Sequence, residues 1–198
     1  MLLETAGEEI STVNAAARMN KLLQISCGAV YSDSGAVVHF DVSERLRVVE
    51  EVINETSNKV LIFVPFRHAI ELVHEYLTKA GIAAEVIHGD VGMRLRSDTF
   101  KRFQEKSEPK VLVIQPQAAS HGVTLTAADV IIWYAPVTST ETYLQANARI
   151  DRPGQKNNMT IVHIEGSPIE KKLYRMLQSN ITNHNKVIDL YKKELADT

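Results

Sequence analysis

Three short runs of uninterrupted apolar residues stand out along the chain, Val60-Leu-Ile-Phe-Val64, Val111-Leu-Val-Ile114 and Val130-Ile-Ile-Trp133. A strand with one wet face would alternate apolar and polar residues, so these runs read as strands buried on both faces. Ala83 to Ile87 and Met159 to Ile164 read as two more strands. Between them the apolar positions fall at helical spacing, predicting helices from about His68 to Ala80, which Gly81 ends, from Arg94 to Gln104, and one carrying Arg149 ahead of the last strand. Upstream, Ser11 can cap a helix running to about Ile25 on Val13, Ala16, Leu23 and the neighbouring Ala17, Met19 and Leu22. Ala29 to Tyr31 and Val37 to Phe40 flank Ser32-Asp-Ser-Gly35, a turn composition that predicts a small hairpin. Asp41 and Glu44 have capping-box spacing ahead of a helix to about Thr56 on Leu46, Val49, Val52 and Ile53. Residues 1–10 are mixed and acidic and are expected to fray. From Pro168 a long helix is predicted on Ile169, Leu173, Met176, Ile181, Val187 and Leu190, and Ser179-Asn180 would allow a break.

Strands alternating with helices imply right-handed crossovers and a largely parallel sheet, with ligand-facing residues at the strands' carboxyl ends. The chain then divides into a helix-and-hairpin lead-in (1–40), an α/β lobe (41–166) and a helical extension packed on that lobe (167–198).

Composition narrows the functional classes. The 198 residues, 44% of them hydrophobic, suffice for one sizeable core. A formal charge of -2 supplies no global basic field, so any grip on nucleic acid must come from local groups. The single cysteine, Cys27, excludes an internal disulfide and a thiolate zinc cluster. Seven histidines show no metal-ligand spacing, and no metal site is expected. With neither a basic segment followed by an apolar run nor a stretch of membrane-spanning length, the expectation is a soluble, cytoplasmic protein without a membrane partner.

The chemistry is concentrated in Gln145-Ala-Asn-Ala-Arg149-Ile-Asp-Arg152-Pro153-Gly154-Gln155. Gln145, Arg149 and Arg152 stand at i, i+4 and i+7, which on a helix puts all three on one face. Pro153 disfavours helical backbone at residue 152, and Gly154 lets the chain turn away, leaving Arg152 at a helix end. Two permanently charged guanidinium forks suit a phosphate chain that gains charge during transfer.

That string resembles the sixth conserved motif of superfamily 2 helicases, in the branch of the Swi/Snf-like DNA translocases. Three other stretches resemble the same family in order. Val60 to Phe66 is similar to its fourth motif. His88-Gly89-Asp90 with Arg94, Phe100 and Phe103 is similar to the segment that touches the tracked strand. Gln115-Pro-Gln-Ala-Ala-Ser120-His-Gly122-Val-Thr124-Leu125 occupies the place of the fifth motif, departing from it at Gln115-Pro116 and at Thr124, where asparagine is common. The Trp-Asn-Pro string usual in remodelling enzymes is missing, and Trp133-Tyr134 with Thr138 to Tyr143 looks more like compact phage and bacterial members. Trp133 and Tyr134 could stack bases, although aromatics ending a buried strand are more often core.

The resemblance, over about residues 12 to 195, implies an α/β, RecA-like three-layer domain with a mostly parallel central sheet and flanking N- and C-terminal helices. It implies that Arg149 and Arg152 act as arginine fingers with Gln145 beside them, that Gly122 joins them in nucleotide binding, and that Gln155 supports the turn. His88, Arg94, Ser120 and Thr124 are implied to contact nucleic acid, DNA before RNA. Neither a phosphate loop nor an Asp-Glu-x-[HD] string occurs, so ATP and Mg2+ would be held mainly by an N-terminal RecA-like lobe that these residues do not include, and the isolated chain is expected to be inactive. A bacterial or phage-infected cell is the expected setting. The competing reading is a non-catalytic adaptor that keeps the lobe's surface to bind nucleic acid or protein. An unrelated nucleotide-binding enzyme would need a Gly-rich turn after the first core strand, and Val64-Pro-Phe-Arg67 is not one.

Overall fold

The computed structural model describes the backbone of residues 3–5, 8–10, 15–119 and 123–196, and the side chains of 17–119 and 123–182. Among the described residues fifteen regular elements follow one another: β1 (Leu3–Thr5), β2 (Glu8–Ile10), α1 (Ala15–Ser26), β3 (Ala29–Tyr31), β4 (Val37–His39), α2 (Ser43–Glu55), β5 (Lys59–Phe63), α3 (Arg67–Lys79), β6 (Ala84–Ile87), α4 (Met93–Glu105), β7 (Val111–Ile114), β8 (Ala128–Trp133), α5 (Thr140–Asn147), β9 (Thr160–His163) and α6 (Pro168–Ala196), with a 3₁₀ turn at Pro116–Ala119 between β7 and β8.

The five core strands form one sheet in the order β6-β7-β5-β8-β9, and every pairing is parallel. Alternate side chains of each strand enter opposite layers. Leu61, Phe63, Leu112, Ile114, Ile131 and Trp133 meet α4, α5 and α6 through Phe100, Phe103, Tyr143, Ala146, Tyr174 and Leu177. On the other face Val60, Ile62, Val111, Val113 and Ile132 meet α2 and α3 through Val49, Ile53, Ile70, Val73 and Leu77. The continuous apolar runs are explained by this sandwiching: in β5, β7 and β8 neither face is left to water.

Several expectations need correction. Leu3–Thr5 pairs antiparallel with Glu8–Ile10, so part of the segment expected to fray carries a small ladder. Ser11, the expected cap of α1, lies outside the described residues. At α2 no capping box forms: Asp41 Oδ1 accepts the N–H of Ser43 at 2.9 Å, which holds its carboxyl below the usual range, and Glu44 turns instead to Arg47. Helix α6 runs through Ser179 and Asn180 without a break. Its buried face is Glu170, Leu173, Tyr174 and Leu177, at i, i+3, i+4 and i+7, while Met176 is exposed.

Glu170 has the most consequential position on that face. Its fully buried carboxylate accepts from Arg45 Nη2 at 2.7 Å on both oxygens, from Gly166 N–H at 2.8 Å, and from the hydroxyls of Ser26 and Ser167 at 3.1 Å. Arg45 also donates to the carbonyl of Tyr134, at the end of β8. One carboxylate thus ties α1, α2, β8 and α6 together. The approach is so close that a Cβ on Gly166 would stand 2.4 Å from Arg45 Nη2, which explains glycine there.

Candidate functional site

The expected helix face carrying Gln145, Arg149 and Arg152 does not exist. α5 ends at Asn147, and the chain tightens into successive i+3 and shorter turns: Arg149 N–H to Ala146 carbonyl at 3.1 Å, Ile150 to Asn147 at 3.3 Å, Arg152 to Ile150 at 3.1 Å. Two residues account for this early stop. Ile150 is 1% exposed and joins the core, and the carbonyl of Arg149 accepts the N–H of Leu125 at 2.9 Å, on the segment entering β8. A continuing helix would point that carbonyl along its own axis. The turn is then closed by Gln155, whose Nε2 donates to the carbonyls of Ala128 (2.8 Å) and Ile150 (3.3 Å) while its Oε1 accepts from Lys156 and Asn157 N–H at 3.0 and 3.1 Å. Gly154 sits at φ 107°, the left-handed backbone that a turn at this point requires.

The two arginines consequently have different surroundings. Arg149 is 5% exposed, and its Nε and Nη1 find no hydrogen-bond partner among the described residues. Burial lowers the pKa of this guanidinium from the usual arginine value, and the neighbouring Arg152 charge lowers it further. An arginine nonetheless stays charged in a protein, so among the described residues this buried cation, beside another cation, has no anion to pair its Nε and Nη1. Arg152 is half-buried, with Nε donating to the Ala148 carbonyl at 3.2 Å and Nη1 lying 3.5 Å from Thr124 Oγ1. Gln145 is exposed on α5 and bonds back to Glu141 at 3.0 Å, away from both.

Thr124, read as a nucleic-acid residue, therefore stands with the arginine turn. Ser120 and Gly122 lie outside the described residues. His88 and Arg94 belong to a separate place at the carboxyl end of β6: His88 shapes the loop after the strand by accepting Asp90 N–H on Nδ1 at 3.3 Å, and Arg94 is exposed in the first turn of α4. The expected clustering at strand carboxyl ends holds for this pair, whereas the arginine turn is pinned to the entry of β8. A groove of about 580 Å³ between residues 89–93, Phe100 and Val123 lies beside the His88 loop. Since Val123 lines the groove and Thr124 meets Arg152, consecutive residues connect the two places.

Trp133 and Tyr134 are core residues, both fully buried. Trp133 packs on Phe63 and Tyr143 with ring centroids 4.8 and 4.9 Å away and donates from Nε1 to Asn147 Oδ1 at 2.9 Å, fixing the end of α5 just before the arginine turn. Neither ring is available to stack on a base. Sequence reasoning missed this anchoring role of Asn147, for which an isolated asparagine gives no signal. It also missed Gln115, whose Oε1 reaches the N–H of Gly89 at 3.3 Å. The departure from the family pattern at that position was the available clue. Among the described residues no group of three or more His, Cys, Asp or Glu side chains could hold a metal, and no helix is long and apolar enough to cross a membrane.

Comparison with known proteins agrees with this architecture. Residues 44–154, more than half of the chain, match the family described as helicase conserved C-terminal domain. The CHD3-type chromatin-remodeling factor PICKLE of Arabidopsis thaliana is 25% identical over 98% of the chain, and the chromatin-remodeling ATPase INO80 of Emericella nidulans is 28% identical over 72%. The chain spans only 15% and 10% of the lengths of these relatives. Among solved structures, the C-terminal part of the Fun30 ATPase domain superposes with a TM-score of 0.64 at 21% identity, over 71% of this chain and 48% of that one. The C-terminal domain of the DEAD-box protein Dbp5 gives 0.61 at 18% identity, over 72% of this chain and 81% of that one. The chain belongs to the helicase conserved C-terminal domain family and has the fold of a RecA-like C-terminal lobe.

Proposed function

We propose that this lobe is the second half of an ATP-driven nucleic-acid motor, supplying Arg149 and Arg152 to a triphosphate held on an N-terminal RecA-like lobe. The observation that carries the reading is the buried guanidinium of Arg149, with two nitrogens unpartnered among the described residues and a second cation beside it. Such an arrangement is unfavourable in the free lobe and becomes favourable when a phosphate oxygen enters, and more so as that oxygen gains charge in the transition state. Arg152, whose Nη1 lies 3.5 Å from Thr124 Oγ1, reaches toward the same anion. Gln155 keeps the turn in place, and Gln145, turned toward Glu141, is left a part in orienting the nucleotide only through movement of α5. Magnesium is left to the lobe that carries a phosphate loop, since the acids described here do not converge.

DNA is the favoured track, with RNA as the alternative. The His88 loop and the arginine turn are joined through Val123 and Thr124, so the reading makes this segment the link by which nucleotide state reaches the strand. The 198-residue chain alone is expected to hydrolyse ATP no faster than buffer. Turnover should appear when an N-terminal lobe with an intact phosphate loop is supplied, on the same polypeptide or as a separate chain. Nucleic-acid-stimulated hydrolysis by the isolated chain would contradict this assignment of the active site.

A further inference from the structure

The two edges of the central sheet are finished differently. At β6 the carbonyl of Ala83 accepts the N–H groups of Lys110 and Val111 at the start of β7, so the next carbonyl, that of Ala84, points outward. His74 Nε2, on α3, lies 3.1 Å from it. Glu85 beside it is charged and held by Thr99 and Arg102 of α4. A covered carbonyl and a charged pair are devices that keep a strand edge from pairing with another chain. Edge strand β9 has neither among the described residues. From residue 157 to residue 164 the chain carries no Asp, Glu, Lys, Arg or Pro, and Met159 and Ile161 are 39% and 41% exposed.

One bond sets the direction of the free groups on β9. The N–H of Ile164 turns inward to the Trp133 carbonyl at 3.0 Å, and alternate residues of a strand present N–H and C=O to alternate sides. Ile161 and His163 therefore aim both groups outward, and Met159, one residue ahead of the strand, continues the row. A row centred on Ile161 is complementary to its own copy. We propose that β9 is a homodimer interface, in which two copies of the chain pair their β9 strands antiparallel about Ile161 and join two sheets into one. Ile161 then faces the partner's Ile161, and Met159 faces the partner's His163, each pair exchanging N–H and C=O. These side chains project on the α5 and α6 side of the sheet, where methionine meets an imidazole already stacked on Tyr174. On the opposite side Thr160 faces the partner's Val162, at the wall of a cavity of about 290 Å³ between β9 and Val52 and Glu55 of α2. Charge selects the orientation. Lys156 precedes the strand and Glu165 follows it, so antiparallel copies bring opposite charges toward each other, whereas parallel copies would align like ones. The pairing is independent of the arginine turn, so ATP turnover tests one reading and oligomeric state the other.

The test is sedimentation equilibrium of the 198-residue chain over a concentration series. The wild type should populate a species of twice the chain mass. Ile161→Lys puts like charges directly opposite each other at the two-fold axis and should be monomeric, with an unchanged circular dichroism spectrum. Ile161→Pro should also be monomeric, because the N–H it removes points outward and the ladder to β8 does not use it. Register is read by cross-linking under copper phenanthroline and air, with Cys27 buried and out of play. Ile161→Cys should give a covalent dimer, its two Cα atoms lying about 5.5 Å apart across the pair, whereas Met159→Cys, opposite the partner's His163, should give none. A wild type that stays monomeric at every concentration would overturn the proposal, as would a dimer that survives Ile161→Lys, or one that cross-links through Met159→Cys and not through Ile161→Cys.

Discussion

Glu170→Ala is expected to destabilise the lobe by about 3–5 kcal/mol, the cost of leaving a buried partner charge uncompensated. The truncation strands the Arg45 guanidinium, 7% exposed, and removes the acceptor for Gly166 N–H and for the hydroxyls of Ser26 and Ser167. A drop of that size is comparable with half the total stability of an ordinary domain, so the urea midpoint should fall steeply at constant m-value. The pair itself need not be stabilising. Taking Arg45 and Glu170 together to Met and Leu should recover most of the loss, since buried ion pairs are often replaced by apolar side chains at little cost. A small effect of Glu170→Ala would mean that α6 is an appendage. The packing of Tyr174 and Leu177 in the core predicts the opposite.

Arg152→Ala, in a protein carrying both lobes, is expected to lose on the order of 10³-fold in ATP turnover, the lower range for removal of an arginine finger. Lysine at 152 should rescue poorly, because the ammonium keeps the charge but loses the fork. Arg149→Ala should be similarly inactive, with a further signature that Arg152 lacks. Arg149 is a buried cation whose Nε and Nη1 have no partner among the described residues, so Arg149→Met should leave the fold as stable as wild type or raise its stability by about 1–3 kcal/mol while abolishing turnover. A residue whose removal stabilises the fold and destroys activity is held in place for function. If Arg149→Met destabilised the lobe, the guanidinium would be serving the core instead.

The strands were the legible part. Uninterrupted apolar runs can be satisfied only between two covered faces, and the parallel order follows from the helices that connect them. The arginine turn was legible as chemistry but not as geometry. The i, i+4, i+7 spacing suggested one helix face, and Pro153 suggested a stop at residue 152, yet the helix stops at Asn147. The cause is tertiary: Ile150 must enter the core and Leu125 captures the Arg149 carbonyl, and neither demand is written within the turn itself. The Glu170 network was partly legible. Ser167-Pro168-Ile169-Glu170 has the spacing of a helix start with proline at its first position, but its partner Arg45 lies 125 residues away and looks in sequence like any exposed helix arginine. Asp41 shows the reverse error, a correct local signal satisfied one bond earlier than its pattern implies.

The separation of the His88 loop from the arginine turn gives the lobe two working ends connected by residues 123–125. Thr124 meets one and Val123 lines the groove beside the other, so under the proposed function a shift of the arginines toward a phosphate would be felt at the His88 loop. This arrangement makes the state of the phosphate, rather than simple nucleotide occupancy, the quantity to which the arginines should respond.

The most direct measurement is therefore the affinity of the two-lobe protein for ADP with aluminium fluoride, a mimic of the transferring phosphoryl group, set against its affinity for ADP alone. The account predicts that Arg149→Ala and Arg152→Ala each weaken the mimic by on the order of 10³-fold while ADP and single-strand affinities stay near wild type. Unchanged affinity for the mimic together with lost strand binding would place the turn on the nucleic acid and contradict the account.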